Sequence, residues 1–231
     1  MRLVLFDIDG TILLTAGAGR RAITAALGEA VGARGAFDRI RFDGKTDPQI
    51  ICELLEAAGH PPPHDPARVR ALCERYVALL EAELARTLGV RLMPGFPELF
   101  DRLEERDDVV LGLLTGNLER GAALKLRAAG VDPARFKVGA YGSDSRHRPD
   151  LPAIAARRAE PLFGRAPRGA EVVIVGDTPA DIACGAQIGA RAVAVATGSY
   201  SAAELAASVP CPHAVFPTLA DTARVLEAIL D

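Results

Sequence analysis

The chain has 231 residues, of which 49% are hydrophobic and 25% are charged, and its formal net charge is −3. This length suits one large domain, or a core domain with a smaller insert. The weak negative charge, without long runs of one sign, gives no support for binding to nucleic acid or to a membrane surface. No run approaches the roughly 18 apolar residues of a membrane-spanning helix, and the N-terminus turns acidic at Asp7, too early for a secretory signal. We therefore expect a cytoplasmic protein.

The first predicted element is a strand over residues 3–6, a continuous apolar run that is followed by Asp7-Ile8-Asp9-Gly10-Thr11. Apolar runs of this length are typical of strands that are buried on both faces of a parallel sheet. Similar runs follow at residues 109–114, 138–141, 172–175 and 192–196, and residues 214–216 are a candidate edge strand.

Residues 15–92 show three helical patterns and no convincing strand. Two of the helices are expected to begin at Asp-Pro pairs, with Asp47 and Asp65 as N-caps. From about residue 94 onward strands and helical stripes alternate, and one of these stripes contains Leu219, Ala223, Leu226 and Leu230. We therefore predict an α/β core over residues 1–14 and 93–231, with a mostly parallel sheet and a small α-helical cap over residues 15–92 inserted after the first strand.

Polar groups follow three of the predicted strands. Asp7 and Asp9 follow the first, Thr115-Gly116-Asn117 follows the run at 109–114, and Gly176-Asp177-Thr178-Pro179-Ala180-Asp181 follows the run at 172–175. The C-terminal ends of parallel strands face a common ligand crevice, so these groups are expected to converge. Several carboxylates held close together require protons or a cation, and an all-oxygen ligand set favours Mg²⁺.

These three motifs, in this order and at strand ends, resemble those of the haloacid dehalogenase superfamily, and the resemblance covers essentially the whole chain. The helical insert resembles the α-helical cap of the phosphoglycolate phosphatase and β-phosphoglucomutase branch. The resemblance implies a Rossmann-like three-layer core and a phosphatase that hydrolyses a small phosphate monoester through an aspartyl-phosphate.

Carried over to this chain, the resemblance makes Asp7 the nucleophile and Asp9 the general acid and base. It implies that Thr115 and the Gly116 backbone N–H hold phosphate oxygens. The metal ligands that it implies are the Asp7 carboxylate, the Asp9 carbonyl oxygen, Asp177 and, directly or through water, Asp181. A capping role at a helix start is an alternative interpretation of Thr178 and Asp181.

One position departs from the family pattern, which usually places a lysine after the third strand to pair with the nucleophile and the phosphate. The segment here contains Arg146 and Arg148 and no lysine, and Pro149 follows Arg148. We assign the role to Arg148, with Arg146 as the reserve candidate; Lys137 lies too early. Arginine keeps the positive charge but is larger and cannot lose its proton.

Two further residues are candidate substrate contacts. Lys45 lies in Asp43-Gly44-Lys45-Thr46-Asp47, where this branch usually carries a specificity loop, and Asn117 follows the second motif. A solvated lysine beside a capped helix start is an equal interpretation of Lys45.

The runner-up function is a hexose-phosphate mutase of the β-phosphoglucomutase type, which shares every core residue named here. A non-catalytic phosphate or metal sensor on the same fold is the alternative from a different class. Dehalogenase and phosphonoacetaldehyde hydrolase chemistry are disfavoured, because those relatives lack the aspartate found here as Asp9. The expected partner is a small phosphorylated metabolite, without nucleic acid or membrane, and the protein is expected to be a monomer or homodimer.

Overall fold

A computed structural model of the chain describes residues 1–32 and 37–231. The strands are β1 (Arg2–Phe6), β2 (Leu13–Leu14), β3 (Arg91–Leu92), β4 (Val109–Thr115), β5 (Val138–Tyr141), β6 (Val172–Gly176), β7 (Arg191–Val195) and β8 (Ala214–Phe216). The α-helices are α1 (Ala18–Val31), α2 (Asp47–Ala57), α3 (Pro66–Arg86), α4 (Phe96–Glu104), α5 (Glu119–Ala128), α6 (Leu151–Phe163), α7 (Pro179–Cys184), α8 (Ala202–Ala206) and α9 (Thr222–Leu230).

Six of the strands form one sheet in the order β5-β4-β1-β6-β7-β8, and all of its ladders are parallel. The sequence prediction of a mostly parallel α/β sheet, with residues 214–216 at its edge, is confirmed. Phe6 of β1 pairs with Leu113 of β4 and with Val175 of β6. This register brings the residues that follow the three central strands to nearly the same level at one edge of the sheet.

The sheet is apolar on both faces, so its strands lack the alternation of polar and apolar residues. Val4 and Phe6 of β1 point into a cluster with residues of α4 and α9, whereas Leu3 and Leu5 point into a cluster with residues of α6. A strand that buries both faces needs apolar residues at every position, which explains the continuous apolar runs in the sequence. The resulting arrangement has three layers, as predicted.

The helices α1, α2 and α3 pack around an apolar core of their own, in which Tyr76 is fully buried. Leu118, which precedes α5 of the α/β core, also packs into this cluster. The chain passes between the two parts at β2 and β3, which pair antiparallel through Leu13 with Leu92 and Leu14 with Arg91. The strand β3 was not predicted, because a two-residue pairing across the whole insert leaves no local sequence pattern.

Two local predictions need correction. Thr46, and not Asp47, is the N-cap of α2, because the Thr46 hydroxyl accepts the N–H of Gln49. In α9 the buried residues are Thr222, Val225 and Ile229, and Leu226 of the predicted stripe packs beside them, whereas Ala223 is exposed. The prediction that Asp65 caps α3 is confirmed, since its carboxylate accepts the N–H of Ala67.

Among the described residues, no helix is long and apolar enough to cross a membrane.

Candidate active site

Asp7 lies directly after β1, in the middle of the sheet, and its side chain is buried. Its backbone N–H donates to the carbonyl oxygen of Val175 at 2.9 Å, which extends the ladder between β1 and β6 by one residue. Parallel strands present their C-terminal ends at one edge, and this ladder fixes the position of Asp7 relative to Asp177, two residues past Val175. The strand-end convergence expected from the sequence is therefore present for these two carboxylates.

Asp7, Asp177 and Asp181 form a buried acidic cluster, in which one oxygen from each carboxylate lies within 4.8 Å of the other two. Burial raises the pKa of Asp7 to about 7, and Asp181 and Asp9 add to this effect while Arg148 opposes it. Burial also raises the pKa of Asp177 well above its usual value, with further contributions from Asp181 and Asp7. Clustered carboxylates away from water destabilise one another's charged forms.

Arg148 is the cation that contacts this cluster. It is 5% exposed, and its Nη2 lies 3.2 Å from Oδ1 of Asp7 and in a short ion pair with Oδ1 of Asp181. Burial disfavours its charge, but Asp181 and Asp7 outweigh that effect and raise the pKa of Arg148. Its Nε is buried without a hydrogen-bond partner in the described part of the chain.

The reserve candidate Arg146, and Lys137, which the sequence had excluded, both lie elsewhere. Arg146 points its Nη1 toward Sγ of Cys52 at 3.8 Å, and its backbone carbonyl accepts the hydroxyl of Thr46. Lys137 is exposed, and its ammonium donates to the carbonyl of Ala134. The structure thus brings Arg148, and neither of these two residues, to Asp7.

Asp181 also has the helix-capping role that the sequence offered as an alternative interpretation. Its Oδ2 accepts the backbone N–H of Thr178 at 3.0 Å and the Thr178 hydroxyl at 2.7 Å, which forms a capping box at the start of α7. The same carboxylate is paired with Arg148 through its other oxygen. Capping and membership of the acidic cluster are therefore compatible in one residue.

The second motif lies at the end of β4, where Thr115 is fully buried. Its Oγ1 accepts the side-chain amide N–H of Asn117 at 2.8 Å. The same amide nitrogen donates to Oδ2 of Asp9 at 2.8 Å. Asn117 is thus engaged by the protein itself, and its contact with substrate stays a prediction.

Lys125 of α5 is a site residue that the sequence analysis did not find. It is 5% exposed, and its ammonium donates to Oδ2 of Asp9 at 2.6 Å and to Oδ1 of Asn117 at 2.6 Å. It belongs to no motif and lies ten residues past Thr115 in a helix. The rarity of lysine could have drawn attention to it, since the chain contains only three lysines, at positions 45, 125 and 137.

The loop before α2 closes the site from the cap side. Asp43 accepts the hydroxyl of Ser199, and Thr46 donates to the carbonyl of Arg146 at 2.7 Å. The Asp47 N–H donates to the carbonyl of Gly116 at 2.7 Å, and its carboxylate accepts the N–H of Leu118 at 2.8 Å. These contacts hold the cap against the strand ends of the core.

Between the cap and the core lies a cavity of about 280 Å³, which is lined by Asp7, Asp9, Thr115, Arg148, Asp177 and Lys45 among others. The Lys45 ammonium is paired with Glu53 of α2, so its charge is already compensated by the cap. A cavity of this volume, at the low end of the usual range for small-molecule sites, can enclose a small metabolite.

The acidic cluster fits a bound divalent cation. Three carboxylates meet there, and Arg148 is the one cationic side chain found in contact with them in residues 1–32 and 37–231. A Cβ at Gly198 would lie 1.7 Å from Oδ2 of Asp177, so this position holds the carboxylate in a cradle that only glycine allows. All the donors are oxygens, which suits a hard cation such as Mg²⁺.

A parallel sheet with polar residues at its central strand ends, covered by an inserted helical cap, defines a haloacid dehalogenase-like fold. Residues 148–222 match the HAD-hydrolase-like family model, and this segment contains Arg148, Asp177 and Asp181. This match agrees with the resemblance inferred from the third motif, and the fold agrees with the resemblance as a whole. No curated protein matches the chain in sequence.

Solved structures resemble the chain over nearly its whole length. CbbY from Rhodobacter sphaeroides, in complex with phosphate, is 24% identical, with a TM-score of 0.71 and 96% of each chain covered. A hydrolase from Pseudomonas syringae is 20% identical, with a TM-score of 0.73 and 98% of each chain covered. A predicted phosphoglycolate phosphatase from Haemophilus somnus is 19% identical, with a TM-score of 0.69 and 97% of each chain covered. These likenesses establish the fold.

Proposed function

We propose that the chain is a Mg²⁺-dependent phosphatase that hydrolyses a small phosphate monoester through an aspartyl-phosphate on Asp7. The observation that carries the proposal is the placement of the Asp7 carboxylate in the lining of a cavity between cap and core, with Arg148 at 3.2 Å and two further carboxylates beside it. A structural carboxylate at a strand end has no need of this environment. The match of residues 148–222 to a hydrolase family model supports the same conclusion.

The proposed reaction has two steps. An oxygen of Asp7 attacks the phosphorus, the bond from phosphorus to the alcohol oxygen breaks, and that oxygen leaves with its electron pair and takes a proton from Asp9. Water then attacks the phosphorus of the aspartyl-phosphate while the Asp9 carboxylate accepts its proton. The bond from phosphorus to the Asp7 oxygen breaks, which releases inorganic phosphate and restores both residues.

The ligands proposed for Mg²⁺ are the carboxylates of Asp7, Asp177 and Asp181 and the main-chain carbonyl of Asp9. When bound, the cation would neutralise negative charge on the carboxylates and the phosphoryl group. Burial and the neighbouring carboxylates raise the pKa of Asp7 to about 7, an effect that a bound cation would oppose. A partly protonated carboxyl group is a poor nucleophile, and a neighbouring cation favours the ionised form.

The phosphoryl oxygens are proposed to lie against Arg148, the Thr115 hydroxyl and the Gly116 backbone N–H. Arg148 can supply several N–H donors and a charge that it does not lose. Because these groups are fixed by the fold before substrate arrives, they stabilise developing charge without reorganisation.

The proposed substrate is a small phosphorylated metabolite, because the cavity of about 280 Å³ is bounded on one side by the cap. We place this reaction in the cytoplasm. The cap would exclude bulk water from the aspartyl-phosphate while it forms. Lys45 is proposed to contact the part of the substrate remote from phosphorus; it lines the cavity, although Glu53 also pairs with it. The net charge of −3 does not favour a nucleic-acid substrate.

The test is the release of inorganic phosphate from phosphoglycolate, sugar phosphates, nucleotides and 4-nitrophenyl phosphate, with Mg²⁺ or with EDTA. We expect release that requires the metal and that falls on the order of a thousandfold or more in Asp7→Asn, which removes the nucleophile. Asp107→Asn is the matched control, because Asp107 is an exposed aspartate of the core and its substitution should leave the rate unchanged. No release from any ester by the wild type would refute the proposal.

A further inference from the structure

Lys125 holds a buried positive charge that the reaction proposed above does not use. Lys125 is 5% exposed, and its ammonium requires compensating partners, because an unpaired charge is costly to remove from water. The partners found are both at the site: Oδ2 of Asp9 at 2.6 Å and Oδ1 of Asn117 at 2.6 Å. Its hydrogen bonds are therefore directed at the residue proposed as general acid and base and at Asn117, while its charge also acts on the buried Asp47.

The contacts orient the Asp9 carboxyl group in a defined way. Lys125 and the Asn117 amide both donate to the same oxygen, Oδ2, at 2.6 and 2.8 Å. No hydrogen bond to Oδ1 of Asp9 is found within the described residues. The Asp9 side chain is 41% exposed and lines the cavity. One oxygen is thus held by the protein, and the other is left for proton transfer.

The fold holds Asp9, Asn117 and Lys125 in fixed relative positions. Lys125 lies in the last turn of α5, and helix side chains lean toward the N-terminus of their helix, which here begins beside Asn117. Its neighbours Ala122 and Leu126 are fully buried in the cluster against the central sheet. The ammonium is therefore carried by an element that is fixed to the same sheet as Asp9.

We propose that Lys125 is a positioning residue that aims Oδ1 of Asp9 at the leaving-group oxygen and stabilises the Asp9 carboxylate once its proton has left. This proposal rests on the phosphatase function proposed above. The proton moves from Asp9 to the alcohol oxygen as the bond from phosphorus to that oxygen breaks, and Lys125 keeps its own protons throughout.

The consequence is a dependence on the leaving group. An alkoxide is a poor leaving group and needs the proton from Asp9, whereas 4-nitrophenolate is stable without it. The loss of Lys125 should therefore slow the cleavage of alkyl phosphates much more than the cleavage of 4-nitrophenyl phosphate. A lysine with a purely structural task would slow both esters alike.

The experiment measures kcat/KM, which reports the steps through cleavage of the substrate, for 4-nitrophenyl phosphate and for the alkyl phosphate that the wild type hydrolyses fastest. For Lys125→Met we expect a loss of about 30-fold or more with the alkyl ester and less than about threefold with the aryl ester. Lys137→Met, at an exposed lysine of the core, should change neither value. Lys125→Gln, which keeps amide donors without the charge, repeats the test if the methionine variant unfolds.

A double-mutant cycle separates action through Asp9 from direct contact with the substrate. In an Asp9→Asn background, Lys125→Met should cause no further loss with the alkyl ester, because the carboxyl group that it orients is gone. Equal losses with both esters, or the full loss persisting in the Asp9→Asn background, would overturn the role of Lys125 while phosphatase activity of the wild type still stands. A wild type that cleaves neither ester would overturn the proposed function and this inference together.

Discussion

At the scale of the residue, Arg148 links the acidic cluster to the rest of the core. Its guanidinium bridges Asp7 and Asp181, both of which are buried with it. Removing one partner of a buried ion pair leaves charge uncompensated, which is more destabilising than the loss of a pair at the surface. Without the guanidinium, the two buried carboxylates would lose the cation that links them.

We therefore expect Arg148→Met to lower the free energy of unfolding by about 3 kcal/mol in the absence of divalent cations. Arg148→Lys should retain part of this energy, because it keeps the charge but loses the planar group that reaches two carboxylates. Denaturant unfolding at neutral pH with EDTA measures both effects.

The control for this measurement is Arg158→Met. Arg158 pairs with Asp144 at 2.7 Å but its side chain is 45% exposed, so the expected change is about 1 kcal/mol or less. Equal losses for the two methionine variants would contradict the bridging role of Arg148.

At the scale of the element, a residue of the helical insert satisfies a backbone N–H at the start of the core helix α5. The residue before α5 is Leu118, whose side chain cannot accept a hydrogen bond, and Asp47 accepts the Leu118 N–H instead. The sequence placed Asp47 as the cap of its own helix, α2, but Thr46 takes that position. Asp47 is thereby free to join two elements that are far apart in the chain.

The burial of Asp47 makes stability depend on pH. Burial raises the pKa of Asp47 from 3.8 to about 6, against the opposing effect of Lys125. The folded state binds this proton more tightly than the unfolded state, so the stabilising contribution is full below about pH 4 and is lost as the pH rises through 6. Asp47→Asn keeps an oxygen acceptor but cannot ionise, and it should gain roughly 2 kcal/mol over the wild type between pH 4 and pH 7.

The measurement is the free energy of unfolding of both proteins at several pH values, taken as a difference so that other titrating groups cancel. Asp65→Asn, at the exposed N-cap of α3, is the matched control. A difference between Asp47→Asn and wild type that stays constant over this range would show that Asp47 is not the source of the pH dependence.

At the scale of the whole molecule, the cap and the core meet through a loop with no room for a side chain at Gly44. A Cβ at Gly44 would lie 2.6 Å from Cβ of Ala180 and 3.1 Å from Oγ1 of Thr178, in the segment that carries Asp177 and Asp181. Its φ is +72°, a conformation that also disfavours other residues. The closed arrangement of cap and core therefore depends on this glycine.

We expect Gly44→Ala to lower kcat/KM for 4-nitrophenyl phosphate by about tenfold or more, because the cap can no longer close fully over the site. Gly59→Ala is a matched control within the cap, since Gly59 has a φ of +86° and nothing within 4 Å of the added Cβ. Both variants should lose about 1 kcal/mol of stability from backbone strain, while Gly59→Ala should keep wild-type activity. Equal activity of the two variants would contradict the requirement for closure.

Local sequence was enough to predict the sheet and the acidic residues at its strand ends. The runs ending at Phe6 and Val175 are apolar at every position because both faces of the sheet are covered, and a change to Asp7 and Asp177 at their ends is visible without a structure. Arg148 could also be chosen over Arg146, because Pro149 marks the start of the next helical turn. In each case the signal is local, within a few residues along the chain.

The side chains that reach the site from distant parts of the chain could not be predicted without the three-dimensional packing. Lys125 meets Asp9 across 116 positions of the chain, and Asp47 meets Leu118 across 71. Neither residue differs in its local sequence from a solvated lysine of a helix or an ordinary helix cap. Their roles arise because the packing of α5 against the sheet, and of the cap against α5, removes water from these groups and gives each one a partner. Burial and pairing are properties of the assembled fold, and no local pattern encodes them.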